Sequence, residues 1–564
     1  MLTQLKTVQG EALLQNNATP WTVYPRPQMR RDSCLNLNGQ WDYAVSADTA
    51  SPASYSQKIR VPFCPESLLS GIGEHPKDGD FIWYHRFFTL PEGFNKGRVL
   101  LHIGAADQVL LCLLNGKIIG AHSGGYETIS FDITDALAEE NELILRCVDD
   151  LHNKTFPYGK QTLKRGGMWY TPVSGIWQTV WLESVPEKYI QKLHIEAQGP
   201  AVQISIEPKL EGKISIPEVG EFPLINGTVR IAPAAPHLWS PEDPYLYDFS
   251  VETAEDRVDS YFALRTLDIQ TIDGYPRLCL NGKPYFFHGL LDQGYWPDGL
   301  FTPATSECYA EDILAMKKLG FNTLRKHIKV EPEEFYYQCD KLGMVVFQDM
   351  VNNGDYSFLR DTALPTIGLQ KLNDRHLHRD KRTREMFLHG MASTVAQLKN
   401  HPCICYWTIF NEGWGQFDSD RVYHQLRKLD DTRFIDSTSG WFRRKKTDVD
   451  SRHVYFKPVK LKASDKPLVL SEFGGYSFKP KGHVFNTEKT YGYGKFENQE
   501  EFAAAVEKLY REQIIPAKET GLCAAIYTQV SDIEDETNGL TSYDRKVTKL
   551  DTSPMLEIAR KLRL

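Results

Sequence analysis

The sequence predicts a multidomain protein in which a jelly-roll β-sandwich and an immunoglobulin-like β-sandwich precede a (β/α)8 barrel. Its 564 residues are too many for one hydrophobic core. Short alternating runs separated by turn residues occupy the first half, and after about residue 275 strand-like runs alternate with helical ones. We expect the first sandwich over residues 1–183, the second over 184–270 and the barrel over 271–564.

The bulk composition predicts a cytoplasmic protein without a nucleic-acid or membrane partner. The net charge is −8 and the pI is about 6.1, with acidic and basic residues interspersed along the chain. The apolar runs are shorter than the ~18 residues that span a membrane, and the N-terminus lacks the apolar core of a secretory signal. The ten scattered cysteines lack zinc-site spacing, so we interpret them as reduced core residues.

The first 270 residues carry the alternation of half-buried strands. Within residues 1–183, the run from Val109 to Leu114 meets the next run through the hairpin signal Asn115-Gly116. The spacing of these runs is typical of a β-sandwich. A second set of alternating runs, joined by prolines, lies between residues 184 and 270 and favours a small spacer sandwich.

One segment of the first sandwich, residues 166–177, is rich in glycine and aromatic residues. Such a segment predicts a loop of fixed shape. Two interpretations remain open. The segment is either a packed loop between domains or a loop that reaches the active site and presents Trp169 and Tyr170 to a substrate.

Helical and strand patterns alternate in the rest of the chain. The first helix ends at Gly320, and the second begins at Pro332 and ends at Gly343, residues that favour helix ends. Each helix is followed by an apolar run, an order that indicates a parallel sheet, and eight strands are the number that closes a barrel. We predict them at residues 284–288, 321–325, 344–348, 403–410, 433–436, 453–456, 467–471 and 522–528.

Two of these strands end in a glutamate. The fourth runs into Asn411-Glu412 and the seventh into Ser471-Glu472. The carboxyl ends of parallel strands gather at one face of a barrel, where catalytic groups lie. Two carboxylates that face each other there are the usual equipment for cleaving a glycosidic bond. Taken singly, each glutamate is equally consistent with the start of a polar loop.

The domain order and these strand ends resemble glycoside hydrolase family 2, which includes β-galactosidases, β-glucuronidases and β-mannosidases. Further matching stretches are residues 174–177, 281–284 and 527–532, so the resemblance covers nearly the whole chain. It implies a retaining β-glycosidase that works by double displacement through a glycosyl-enzyme. In that mechanism Glu412 is the general acid/base and Glu472 is the nucleophile. Short barrel loops with large aromatic insertions predict a pocket for one terminal sugar, and therefore an exo action.

The resemblance also implies a set of residues around the sugar, each with an alternative. Asn411 would hold the 2-hydroxyl or else cap its strand, and Tyr455 would bond the nucleophile or else pack in the core. Tyr527 would form the floor of the sugar site, with core packing as the alternative. Asp292 would bind sugar hydroxyls or cap a loop, and Arg325 would support the nucleophile carboxylate or form a structural ion pair.

The identity of the sugar rests on fewer residues. Related β-glucuronidases bind the substrate carboxylate with an Asn-x-Lys motif, and its nearest counterpart here, Asn-Gly-Leu at residues 538–540, lacks the lysine. Where the family has Arg-x-Ser-His-Tyr, this chain has Arg-Lys-His-Ile-Lys at residues 325–329. Lys326, His327 or Lys329 would therefore bind a uronic acid such as a galacturonide, or else lie in a solvated surface loop.

Two other functions share this architecture: a catalytically silent carbohydrate-binding protein and a transglycosylase, in which an acceptor sugar replaces water. A binding protein has no need of both Glu412 and Glu472, so their presence favours an enzyme. The mechanism requires no cofactor, and the sequence shows no metal-ligand cluster, so none is expected. The expected partner is a carbohydrate or glycoconjugate substrate, and the family resemblance is compatible with a homo-oligomer.

Overall fold

The computed structural model describes residues 1–369 and 373–564. It confirms the predicted fold class, with antiparallel sheets stacked as sandwiches in the first half and a nearly closed parallel barrel in the second. Alternate residues of the sandwich strands face inward, which is how two stacked sheets bury a common core. Within the described ranges, no helix combines the length and the apolar character needed to cross a membrane.

The first sandwich packs a four-stranded sheet against a six-stranded one. Every second side chain of Val109–Leu114 is buried, so that Leu110, Cys112 and Leu114 enter the core. The smaller sheet consists of Cys34–Asn36, Val180–Val185, Arg98–Ile103 and Ile129–Asp132, and the larger of Gln57–Val61, Gly39–Ser46, Phe81–Phe88, Asn141–Val148, Val109–Leu114 and Lys117–Ser123. A short pair joins Ala106–Asp107 to Gly175–Ile176.

The all-β prediction for the first 183 residues misses one helix. Val8–Asn16 is helical, and the hydroxyl of Thr7 accepts a hydrogen bond from the amide of Gly10 at 3.0 Å. This capping contact satisfies one of the free amide groups at the helix start. A threonine before a short amphipathic run was the sequence signal for it.

The second sandwich has a core rich in isoleucine, including Ile204, Ile206 and Ile214. Lys192–Gln198, Ala201–Glu207 and Thr228–Ile231 form its three-stranded sheet, and Gly220–Leu224, Gly212–Ile216, Tyr247–Thr253 and Arg257–Phe262 form its four-stranded sheet. A hairpin of Leu267–Ile272 and Tyr275–Leu280 follows. Its Arg277 donates hydrogen bonds of 3.0 Å to the carbonyls of Leu522 and Lys518, so the hairpin covers the amino end of the barrel.

The barrel strands, here named β1 to β8, hydrogen-bond in the order 5-4-3-2-1-8-7-6, and the two edge strands β5 and β6 contact each other. The predicted first strand, 284–288, is shifted because Lys283–Pro284 pairs with the preceding hairpin instead. In order, β1 to β8 are Phe287–Asp292, Thr323–Lys326, Val345–Asp349, Ile404–Asn411, Phe434–Ser439, Asp450–Val454, Leu468–Gly474 and Leu522–Thr528.

Helices surround the barrel and end at the predicted glycines. Gly343 has a φ of 73°, and its amide bonds to the carbonyl of Cys339, so it terminates the second barrel helix in the left-handed conformation that glycine favours. The main helices are Glu307–Lys318, Glu333–Leu342, Lys381–Leu398, Ser419–Leu429, Gln499–Leu509 and Thr552–Leu562. Shorter helical segments of the barrel are Phe358–Ala363, Leu364–Thr366, Asp374–His376, Tyr510–Ile514 and Ile515–Glu519, and a small strand pair joins Tyr476–Ser477 to Tyr493–Lys495. A short helical turn, Thr134–Ala136, lies in the first sandwich.

The first sandwich also packs onto the carboxyl end of the barrel strands. The ring of Trp177 lies 5.1 Å from that of Phe301 after β1, centroid to centroid. The amide of Tyr158 donates to the carbonyl of Asn352 after β3 at 3.1 Å. Both sandwich residues belong to the same apolar cluster as the barrel interior. Residues that precede the barrel in the chain therefore form one wall around its open end.

Candidate active site

Strands β4 and β7 bring the two predicted glutamates to the same end of the barrel. Glu412 follows β4 directly with a left-handed φ of 53°, and its amide donates to the carbonyl of Ser439 at 2.9 Å. Glu472 lies within β7. One carboxylate oxygen of Glu412 and one of Glu472 lie within 4.8 Å of each other. The side chain of Glu412 is 22% exposed and that of Glu472 is 7% exposed.

Arg325, near the end of β2, connects the groups around Glu472. Its guanidinium donates to Glu472 Oε1 at 2.9 Å and to Asn411 Oδ1 at 2.9 Å. It also donates to Asp349 Oδ1 at 3.0 Å and to the carbonyl of Ser471 at 3.0 Å. The planar donor groups of arginine suit several fixed acceptors at once. Arg325 thus fixes the orientation of both Glu472 and Asn411.

The carboxyl of Glu472 is held in its ionised form. Burial raises its pKa, but the charges of His453, Arg325 and His327 and a hydrogen bond from the Tyr455 hydroxyl outweigh burial and lower the pKa to about 2. One oxygen of Glu472 is bound by Arg325 and the other by Tyr455. A carboxylate held in this way is negatively charged at neutral pH.

His453, on β6, contacts both glutamates and was not predicted. Its Nδ1 lies 2.8 Å from Glu412 Oε1, and its Nε2 lies 3.6 Å from Glu472 Oε1 and 3.0 Å from the hydroxyl of Ser439. The imidazole is completely buried. The sequence did carry a signal, because His453 lies two residues before Tyr455, and alternate residues of a strand share a face.

Tyr455 and Tyr527 were both predicted at the site, and only Tyr455 reaches it. Besides bonding Glu472, the Tyr455 hydroxyl lies 3.0 Å from the hydroxyl of Thr528, the last residue of β8. Tyr527 is completely buried, packs against Phe473 and accepts a hydrogen bond from the amide of Tyr476 at 3.2 Å. The prediction that Tyr527 forms the floor of the sugar site is wrong, since its ring lies in the core.

The basic residues at and after the end of β2 are buried. Lys326, His327 and Lys329 are each no more than 2% exposed, so the interpretation that they lie in a solvated surface loop is wrong. Lys326 Nζ lies 2.9 Å from one oxygen of Glu331, and Lys329 Nζ lies 2.9 Å from the other. Lys326 also bonds Asp292 at 2.6 Å. These ion pairs neutralise both lysines internally, which contradicts their predicted contact with a substrate carboxylate.

Asp292 is bonded through both carboxylate oxygens, and His327 is bonded through its Nδ1. One oxygen of Asp292 accepts a hydrogen bond from Lys326, and the other accepts one from the amide of Gly294 at 3.0 Å. Asp292 therefore caps its loop, and the alternative prediction that it binds sugar hydroxyls is wrong. The Nδ1 of His327 bonds Asp349 at 2.7 Å. Burial lowers the pKa of His327, and the hydrogen bond with Asp349 opposes that change.

The glycine-rich loop of the first sandwich does reach the site, through Trp169. The Trp169 ring lies 5.1 Å from that of Trp414, two residues after Glu412, and 5.0 Å from that of Tyr356. Tyr170 is completely buried and donates to Glu536. The prediction that Tyr170 meets a substrate is therefore wrong, whereas Trp169 lies beside the end of the barrel that carries Glu412.

Within residues 1–369 and 373–564, two groups of side chains could geometrically hold a cation. Glu412, His453 and Glu472 converge within 4.8 Å, but Arg325 and Tyr455 already occupy both oxygens of Glu472. A second group, which consists of Asp78, Asp150 and His152, lies on the first sandwich away from the barrel site, and its histidine is exposed. Neither arrangement assigns an ion.

Two family models match the chain. Residues 274–546 match the model described as "Glycosyl hydrolases family 2, TIM barrel domain", and residues 190–265 match "Glycosyl hydrolases family 2". A β-galactosidase of Thermoanaerobacter pseudethanolicus is 26% identical over 443 residues, which are 72% of this chain and 55% of that protein. A β-galactosidase of Halalkalibacterium halodurans is covered to 48%. The chain thus spans about half the length of these two relatives.

Other relatives and structures match over more of their length. The β-glucuronidase of Homo sapiens is 24% identical over 74% of this chain and 70% of its own. The solved structure of a β-D-glucuronidase from Dictyoglomus thermophilum superposes with a TM-score of 0.72 at 17% identity and covers 96% of this chain and 98% of the other. A β-galacturonidase from Eisenbergiella tayi gives a TM-score of 0.69 at 17% identity with the same coverage.

Proposed function

Because the chain belongs to glycosyl hydrolases family 2, we propose that it is an exo-acting retaining β-glycosidase that removes a terminal β-linked galactose or uronic acid. The approach of the Glu412 and Glu472 carboxylates to within 4.8 Å carries the proposal. Retaining enzymes hold their two carboxyl groups about 5–5.5 Å apart, whereas inverting enzymes leave about 6.5–9.5 Å for a water molecule. The observed approach favours double displacement.

In the first step Glu472 attacks the anomeric carbon while Glu412 gives its proton to the leaving oxygen. Arg325 and Tyr455 fix the two oxygens of Glu472, so little reorganisation is needed to reach the attacking geometry. The His453 imidazole bonds Glu412 at 2.8 Å and orients the proton donor. The C–O bond to the aglycone breaks, and the sugar becomes an ester of Glu472.

In the second step Glu412 acts as a base. The ester of Glu472 carries no negative charge, so Glu412 no longer faces a second anion and can accept a proton from water. Water then attacks the anomeric carbon and releases the sugar with its original configuration. Arg325 occupies the carbonyl oxygen of the Asn411 amide, which orients the amide nitrogen as a donor for the sugar 2-hydroxyl.

The wall that the first sandwich adds supports an exo action. Trp169 packs against Trp414 and Tyr356 beside the catalytic pair and narrows the open end of the barrel on that side. A site narrowed by rigid aromatic rings favours one terminal sugar over a long chain. The choice between galactose and a uronic acid is supported by relatives and structures named β-galactosidase, β-glucuronidase and β-galacturonidase.

The proposal is tested with 4-nitrophenyl β-glycosides of galactose, glucuronic acid and galacturonic acid. We expect hydrolysis of at least one of them, with the β-anomer as the first product seen by proton NMR. Glu412→Gln and Glu472→Gln should each lower kcat by at least ~100-fold on 4-nitrophenyl substrates, and the exposed Glu500→Gln serves as the matched control. A first-formed α-anomer would refute retention, and unchanged turnover in both variants would refute the assignment of the two glutamates.

Small anions separate the two roles. In Glu412→Ala, azide should enter the space left by the side chain, attack the glycosyl-enzyme and yield a β-glycosyl azide. In Glu472→Ala, azide should replace the nucleophile and yield the α-glycosyl azide, because it attacks from the opposite face. The reverse pattern would exchange the two assignments. Turnover of none of the three glycosides would favour a carbohydrate-binding protein.

A further inference from the structure

We propose that Lys160, a residue of the first sandwich, binds the carboxylate of a terminal hexuronic acid and makes this protein a uronidase. The inference rests on the proposed β-glycosidase function and names its substrate class. It concerns binding alone, since the ammonium and the carboxylate keep their protons and charges throughout.

The backbone around Lys160 is fixed against the catalytic end of the barrel. The preceding Gly159 donates its amide to the carbonyl of Asn352, after β3, at 3.4 Å. A Cβ atom on Gly159 would lie 3.0 Å from the carbonyl oxygen of Ile328, after β2, so this segment is pressed directly onto the barrel loops. On the other side, the carbonyl of Lys160 accepts a hydrogen bond from the amide of Tyr170 at 3.0 Å.

The Lys160 side chain is half-buried and has no anionic partner. Among residues 1–369 and 373–564, no carboxylate lies within 4.0 Å of its ammonium group, which lies 6.0 Å from the centroid of the Trp169 ring. Several other cations on this face are paired: Arg325 with Glu472, the two buried lysines after β2 with Glu331, and Arg165 with Asp535. Removing a lysine from water without a counter-ion is unfavourable, so this one suits a ligand anion.

The position of Lys160 relative to the catalytic groups follows from its neighbours. Trp169, beside it, stacks edge-on against Trp414, two residues after Glu412. Burial lowers the pKa of His327, and the nearby charge of Lys160 lowers it further. Burial raises the pKa of Glu536, and Lys160 opposes that change. Lys160 therefore acts electrostatically on groups that also surround the nucleophile.

The counterpart of the Asn-x-Lys motif offers no cation to a sugar carboxylate. At residues 538–540, Leu540 is completely buried, and the Asn538 amide is engaged by Gln529 at 2.8 Å and by Glu536 at 3.0 Å. These residues supply no cation. A cation from the first sandwich therefore takes the place that barrel residues leave empty, and a charge-assisted hydrogen bond to a sugar carboxylate would satisfy it.

The test compares matched substrates and variants. The substrates are the 4-nitrophenyl β-galacturonide and β-galactoside pair and the β-glucuronide and β-glucoside pair. For at least one pair, kcat/KM of the wild type should be at least ~10-fold higher for the uronide. Lys160→Met should lower the uronide value by ~30-fold and the neutral value by less than ~3-fold, since it removes one hydrogen bond to a charged group. Lys164→Met, at an exposed position of the same segment, is the control and should change neither.

Equal or better turnover of the neutral sugar by the wild type would overturn the inference, and so would an equal loss for both members of a pair in Lys160→Met. Calorimetric titration with free galacturonate and glucuronate reads the same contact without turnover. Binding that is lost in Lys160→Met supports the inference even if no aryl glycoside is cleaved, whereas failure of hydrolysis alone counts against the proposed function. Unchanged uronate binding in Lys160→Met would refute the role of Lys160 and leave the proposed β-glycosidase function intact.

Discussion

Replacing His453 should slow glycoside cleavage by an amount that depends on the leaving group. The two imidazole nitrogens have different partners: Nδ1 faces Glu412 at 2.8 Å, and Nε2 faces Ser439 at 3.0 Å and Glu472 at 3.6 Å. The amide nitrogen of glutamine reaches the Nε2 position, and that of asparagine reaches the Nδ1 position. His453→Gln should therefore lose the bond to Glu412, and His453→Asn should keep it.

The size of the effect follows from this contact. The His453–Glu412 bond is short, its imidazole is completely buried, and one partner is a carboxyl group that must hold a proton for the leaving oxygen. Hydrogen bonds of this type contribute about 1.5–3 kcal/mol. At 1.36 kcal/mol for each factor of ten, the loss amounts to about 10- to 150-fold in the step that needs the proton.

The assay measures kcat/KM for a phenyl and a 2,4-dinitrophenyl β-glycoside of the same sugar. A phenolate needs a proton to leave, whereas dinitrophenolate does not. His453→Gln should lower the phenyl value within the range above and the dinitrophenyl value by less than ~3-fold. His453→Asn should lower the phenyl value less than His453→Gln does. Equal losses for the two leaving groups, with thermal unfolding unchanged, would refute the idea that His453 orients the proton donor.

Three further changes have defined outcomes. Because the pKa of Glu472 is lowered from 4.5 to about 2, its ionisation stabilises the fold above about pH 4.5, and this stability is lost as the pH falls to about 2. Tyr455→Phe removes a hydrogen bond that lowers the pKa of Glu472, so it should move the acid limb of the kcat/KM profile to higher pH. A pH–rate profile with an unmoved acid limb would contradict this. Lys326→Met should lower the free energy of unfolding by about 3–5 kcal/mol in urea titrations, since Asp292 would stay buried without its cation. Trp169→Ala should raise KM more than it lowers kcat in steady-state kinetics, and a kcat loss at constant KM would argue against a binding wall.

Local sequence was sufficient to place the polar residues that interrupt strands β4 and β7. A buried strand leaves a recognisable apolar run, and the polar residue that interrupts it is positioned by the strand itself. Asn411, Glu412 and Glu472 were predicted on this basis, and the structure brings them together at one end of the barrel with Arg325 between them. The predicted first strand, 284–288, was displaced by a few residues because Lys283–Pro284 belongs to the preceding hairpin and not to the barrel.

Tyrosines and lysines were harder to place, because their side chains suit either a core or a site. Tyr527 and Tyr170 look like sugar-binding rings in the sequence, yet internal partners satisfy both hydroxyls. Lys326 and Lys329 look like solvated or substrate-binding cations, yet both pair with Glu331, a residue close to them in the sequence that the tertiary fold buries with them. Such pairing depends on tertiary contacts that periodicity does not encode.

Lys160 shows the same limit from the other side. It lies far from the barrel in the chain, and no local pattern distinguishes it from an ordinary surface lysine. Only the docking of the first sandwich on the loops after β2 and β3 reveals its position. When two domains form one site, the sequence of the non-catalytic domain does not reveal which of its residues contribute to that site.

The apolar cluster that Trp177 and Tyr158 share with the barrel has a consequence for how the molecule melts and changes over time. Neither module can open without baring the other's packed surface, so calorimetry should record both in a single endotherm. Replacing the first sandwich by recombination would also remove the wall that it forms at the open end of the barrel. Substitutions in the first sandwich can therefore change substrate preference during evolution while the barrel residues keep the same chemistry.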